Sequence, residues 1–172
     1  MKRLPSDTYR AQRRGGRGVS GMTRREEDFA EHMFTCFAHD QIMLFTNLGR
    51  VYRIKAYEVP ESTRTAKGMN IVNILPLQED EKVTVMLRVE DPDATQYLCM
   101  LTRRGVMKRT LLSAYDNIRK GGIIAIDLDE GDELRWVRLT NGNDDLLVAT
   151  KKGMAIRFNE TDARLVGRTA RG

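Results

Sequence analysis

Short apolar runs of strand length recur along the chain, each closing on Thr and followed by a polar turn that ends in Gly. Residues 44–53 (LFTNLGRVYR), 100–109 (MLTRRGVMKR) and 148–157 (VATKKGMAIR) share that order. The pattern predicts three β-hairpins, with Gly49, Gly105 and Gly153 supplying the positive φ of a tight turn. In each, an Arg stands four residues beyond the glycine: Arg53, Arg109 and Arg157.

The copies stay in step further along the chain. Gly68 lies 15 positions after Arg53, and Gly172 lies 15 after Arg157. Counting 15 from Arg3 reaches Gly18, which closes Arg13-Arg14-Gly15-Gly16-Arg17-Gly18. Thus Arg14, Arg64 and Arg168 fall in register, as do Arg17, Lys67 and Arg171. The copy that starts at Arg109 has a shorter basic loop, 117–122, with Arg119 and Lys120. A plain structural role is expected for the repeated Arg at 3, 53, 109 and 157, namely holding a neighbouring loop by hydrogen bonds.

Two further strands are predicted after each loop: 71–75 and 83–89 after Gly68, then 123–128 and 134–139 after Gly122. Each copy then reads as about four short antiparallel strands, one blade of a propeller-like all-β array. The divisions expected are 1–41, 42–97, 98–145 and 146–172, the first and last incomplete. Helix signals are thin; residues 24–32 suit a turn or two, with Thr23 as cap. The turns 78–82 and 129–133 are acidic and read as solvated. In a radial arrangement the basic loops line up along one edge, with the acidic turns kept away from it.

Charge sharpens this picture. Residues 1–25 hold eight Lys and Arg against Asp7 alone, so +7 sits there and −2 in the remainder of a chain whose net charge is +5. Such asymmetry points to a localised polyanion contact. Arginine forks fit phosphate, and glycines let a polyanion approach backbone N–H groups. No apolar run reaches a membrane span, and no secretory signal opens the chain. Cys36 and Cys99 lack CxxC spacing and are expected as reduced strand residues. His32 and His39 are expected to pack rather than ligate, and Trp136 to be a strand packing residue.

Gln12-Arg13-Arg14-Gly15-Gly16-Arg17-Gly18, with KRLP (2–5) and YRA (9–11) before it, resembles the gyrase A box. That box is the signature of the DNA gyrase A C-terminal domain. Residues 49–53, 58–60, 123–126 and 167–172 agree with the same family. The resemblance implies a β-pinwheel that wraps duplex DNA around its rim, in support of ATP-dependent negative supercoiling. It assigns DNA contact to Gln12, Arg13, Arg14, Gly15, Gly16, Arg17 and Gly18, and by extension to Arg64, Lys67, Arg119, Lys120, Arg168 and Arg171. The implied partners are duplex DNA, the rest of the gyrase A protein as a homodimer, and the gyrase B protein, with no membrane partner. The implied location is the cytoplasm, at the nucleoid. No cofactor is expected on this chain, ATP and Mg²⁺ being bound elsewhere in the holoenzyme. No catalytic or metal site is expected either; Tyr9 belongs to the flank of the box and is not the nucleophilic tyrosine. Measured against the family, the chain reads as a fragment truncated at both ends.

Three other readings compete. The related topoisomerase IV protein has a similar array but a missing or degraded box. A protein-interaction propeller calls for aromatic anchors, and only 6% of residues are aromatic. Single-stranded RNA binding calls for stacking aromatics beside the basic residues, and residues 12–18 contain none.

Overall fold

The computed structural model describes residues 1–9, 11–21, 30–90 and 95–172. Nine strands occur: β1 (Gln41–Thr46), β2 (Arg50–Lys55), β3 (Val83–Val89), β4 (Tyr97–Thr102), β5 (Met107–Leu111), β6 (Ile123–Ile124), β7 (Leu134–Thr140), β8 (Asp145–Ala149) and β9 (Ala155–Asn159). All their pairings are antiparallel, and the only helices among the described residues are single 3-10 turns. None is long and apolar enough to cross a membrane. The helical turn expected over 24–32 falls largely on residues outside those described.

The three predicted hairpins are present as β1–β2, β4–β5 and β8–β9. Gly49, Gly105 and Gly153 have φ of 71°, 89° and 84°, and each donates its N–H to the Thr carbonyl three residues back. The recurring Thr has a second duty. The hydroxyls of Thr102 and Thr150 accept from Val106 and Met154 N–H at 3.1 and 3.2 Å.

The third strand of each copy departs from expectation. Within 123–128 only Ile123 and Ile124 form a strand, and they pair with Val51 and Arg50 of the preceding copy. The sheets therefore run β3-β1-β2-β6, β5-β4-β7 and β8-β9. Residues 71–73 are a 3-10 turn whose Asn70 side chain accepts from Val72 N–H. The fourth strands return to their own hairpins, β3 onto β1 and β7 onto β4. Each copy is thus stitched to its predecessor by its long middle excursion.

The first sheet is apolar on both faces because side chains alternate across a strand. Met43 and Phe45 pack with Val85, Leu98, Met100, Leu134 and Val137. Ile42 and Leu44 pack with Tyr52, Ile54, Val59 and Leu75. By contrast, Leu147, Met154 and Ile156 of β8–β9 are exposed.

Several polar expectations need correction. Glu81 lies in an acidic turn but is buried rather than solvated. It accepts from Thr46 Oγ1 and Tyr52 OH, both at 2.8 Å, and from Gln78 N–H at 2.7 Å. Asp132, also buried, accepts from Arg104 N–H at 3.1 Å. Both carboxylates satisfy the ends of hairpins. Cys99 is buried in β4, whereas Cys36 is exposed and outside any strand. Trp136 is in β7 but half-exposed, so it is not a core residue. His32 and His39 lie outside the strands, and His39 meets the Tyr57 ring edge-on.

Glu160 links the last two copies. Its carboxylate, fully buried, accepts from Thr140 Oγ1 at 2.7 Å, from Gly142 and Asp144 N–H at 2.8 and 2.9 Å, and from Arg109 Nη1 at 3.4 Å. Burial alone would raise its pKa; the bonds from Asp144, Thr140, Gly142 and Arg109 outweigh that and hold it below 4.5. A lowered carboxyl pKa stabilises the fold above the ordinary value and loses that contribution as pH falls through the folded one. Urea melts between pH 6 and pH 3 are expected to show this loss. Glu160→Gln should flatten that part of the profile and cost about 1.5 kcal/mol at neutral pH.

Candidate nucleic-acid interface

The box loop is presented outward. Gln12 through Gly18 are all exposed. Gly16 N–H donates to Arg13 O at 3.0 Å, closing a turn with Gly15 at φ 84°. That is the third position of a type II turn, which demands glycine. A Cβ at Gly16 would stand 3.0 Å from Gln12 Oε1. Among the described residues, the side chains of Arg13, Arg14 and Arg17 have no hydrogen bond or ion pair.

The same turn recurs in register. Ala66 N–H donates to Thr63 O and Ala170 N–H to Gly167 O, both at 3.2 Å. In the shorter loop Gly122 N–H donates to Arg119 O at 2.8 Å. Neighbouring loops touch. Arg64 Nη1 donates to Ser20 O, and Arg168 Nη1 to Ile124 O, both at 2.5 Å. Ser20 and Ile124 each lie two residues past the loop glycine of the preceding copy, so one latch is used twice.

The repeated Arg behaves partly as expected. Arg3 donates through Nε to Val59 O and pairs with Glu61 at 3.2 Å. Arg109 lies beside Leu165 and pairs with Glu160. Both hold the next copy. Arg53 and Arg157 instead bond Gln41 and Asp145 within their own hairpins.

Three arginines from successive copies meet at an open groove of about 560 Å³. Arg50 comes from the β1–β2 turn, Arg119 from the short loop and Arg168 from the last loop, with Asn117 and Thr169 beside them. No carboxylate lines it. Arg50 Nη2 donates to Gly121 O at 2.7 Å, and Arg168 is tied to Ile124, so both guanidiniums are fixed with donors to spare. Arg119 is exposed and has no partner among the described residues.

Lys67 and Lys120 are likewise exposed. The acidic turns, however, are not wholly kept apart from the basic loops: Arg171 Nη1 meets Asp129 Oδ1 at 2.8 Å. Such an exposed pair is worth about 0–1 kcal/mol, little enough for phosphate to displace it. Arg50 escaped the sequence reading because Val106 and Met154 occupy its place in the other copies.

The family description "DNA gyrase C-terminal domain, beta-propeller" matches residues 1–36, 40–90, 96–141 and 144–172. The chain belongs to that family. Along its whole length it is 54% identical to the DNA gyrase A protein of Halalkalibacterium halodurans and 48% identical to that of Clostridium acetobutylicum. It spans 21% of the length of each. A solved DNA gyrase A C-terminal domain superposes over 99% of this chain and 55% of its own, with TM-score 0.72 and 28% identity. The C-terminal domain of a DNA topoisomerase IV covers 78% of this chain and 42% of its own, with TM-score 0.71 and 31% identity. The β-pinwheel expected from the box therefore holds for this chain.

Proposed function

We propose that the chain binds duplex DNA through its phosphates and curves it across successive copies. It does so as the wrapping part of a gyrase A homodimer, which works with the gyrase B protein at the cytoplasmic nucleoid. ATP and Mg²⁺ are held elsewhere in that assembly. The observation that carries the reading is the groove where Arg50, Arg119 and Arg168 meet without a lining carboxylate. The exposed guanidiniums of Arg13, Arg14 and Arg17 support it, with Gln12, Gly15, Gly16 and Gly18 shaping their loop. Arg64, Lys67, Lys120 and Arg171 extend the path.

Bending a 20–30 base-pair site by 40–90° costs roughly 1–6 kcal/mol, so several phosphate contacts must offset it. Arginine–phosphate contacts read no bases, which makes sequence preference a matter of deformability. The groove's lining carries no aromatic residue for stacking, against a single-strand or peptide reading. The complete box favours gyrase over topoisomerase IV.

The test is Arg119→Glu in the full chain, with random duplex titrated at several salt concentrations. Wild-type affinity is expected to fall steeply with salt. The variant should bind at least several-fold more weakly, its log–log slope shallower by about 0.9 for the one phosphate it no longer neutralises. Equal affinity and slope in the two proteins would overturn the reading.

A further inference from the structure

Lys2 and Lys108 each stand one residue before the repeated Arg, and each sends its ammonium into the bend of the next copy's basic loop. Lys108 Nζ donates to Gly167 O at 3.3 Å, Arg168 O at 2.6 Å and Ala170 O at 3.0 Å. Lys2 Nζ donates to Thr63 O at 3.2 Å, Arg64 O at 2.6 Å and Ala66 O at 2.8 Å, and also to Gly21 O at 3.2 Å. The three loop positions are the same in both copies. Neither ammonium makes an ion pair among the described residues.

An ammonium has three donors and no acceptor, so three converging carbonyls saturate it. Lys108 is 0% exposed. Burial and the nearby charge of Arg168 lower its pKa to about 8, against Asp127, so at neutral pH it still carries its proton. The charge is therefore kept inside the fold at a cost, which the carbonyl dipoles offset. Turning three carbonyls inward leaves the side chains of Arg168 and Arg171 directed away from the turn they share.

The second copy supplies an internal comparison. There the matching position is Tyr52, and the following loop is the short one. It closes over the Tyr52 ring, where a Cβ on Gly122 would stand 2.7 Å away. Long loops thus go with Lys and the short loop with Tyr.

We propose that Lys2 and Lys108 are positioning residues for the DNA contact, each folding the next copy's basic loop around its ammonium and so placing that loop's arginines. This rests on the reading of those loops as phosphate-binding.

The experiment compares Lys108→Met, Lys2→Met and Lys2→Arg with wild type in the full chain at pH 7. Amide exchange at Ala170 and Ala66 is read together with the salt dependence of binding to random duplex. Lys108→Met is expected to speed exchange at Ala170 at least tenfold and to flatten the salt slope by about 0.9 for every phosphate released. Lys2→Met should do the same at Ala66, and Lys2→Arg, which keeps a charged donor, should restore both. Should Lys108→Met fail to fold, the half-buried Lys2 pair decides alone. Unchanged exchange overturns the proposal, as does faster exchange with unaltered DNA binding. Arg168→Ala with Lys108 intact separates the two readings: if it leaves binding intact, the loops do not contact phosphate and it is the DNA reading that fails.

Discussion

Replacing Arg13, Arg14 and Arg17 together with alanine is expected to abolish DNA wrapping while leaving the fold intact. The three side chains are exposed and bond nothing among the described residues, so their removal should change stability by no more than about 0.5 kcal/mol. Arg168 differs, because it also latches Ile124. A failure to wrap on the triple change would therefore report the touch of DNA alone. The salt slope should flatten by about 0.9 for every phosphate that the variant leaves to its counterions. With the triple variant in the full-length gyrase A protein, ligation of nicked circles should yield no shift in linking number. A shift equal to wild type would show that the box does not clamp the duplex.

Gly49→Val is expected to destabilise the protein most among single changes in the hairpins. Its φ of 71° is one that L-residues adopt at a cost of roughly 1–2 kcal/mol. A Cβ there would also stand 2.6 Å from Ile126 O, a backbone atom that cannot swing aside. That oxygen belongs to the segment following β6, whose Ala125 N–H donates to Gly49 O at 2.7 Å. Overpacking adds roughly 1–3 kcal/mol, giving about 2–5 kcal/mol in all. Gly105→Val serves as control, because nothing lies within 4 Å of its Cβ position. Thermal melts should place Gly105→Val nearer wild type; equal losses at both sites would mean that backbone strain alone decides the cost.

What the sequence disclosed follows from how local each signal is. The hairpins were legible because a turn glycine and a closing Thr act within a few residues of one another. The middle strand was not, because Ile123 and Ile124 pair with a strand of the preceding copy, a choice made by packing between sheets. Residues 71–73 carry strand-like side chains, yet Asn70 caps them into a 3-10 turn. Glu81 reads as a surface acid, and only the approach of Thr46 and Tyr52 explains its burial. The box loop was plain from composition, whereas the groove needed Arg50, which has no counterpart in the repeat. Lys2 and Lys108 were in view beside the repeated Arg, but their carbonyl partners lie about sixty residues away.

Stitching between copies has a consequence for how such a chain is made and how it comes apart. The free edge of β2 stays open on the ribosome until Ile123 and Ile124 emerge, a wait of seconds at about 5–20 residues per second. Until then it is a bare template for a wrong partner. Once closed, neighbouring copies share hydrogen bonds across their boundary, so heat or denaturant has no seam at which to release them one at a time.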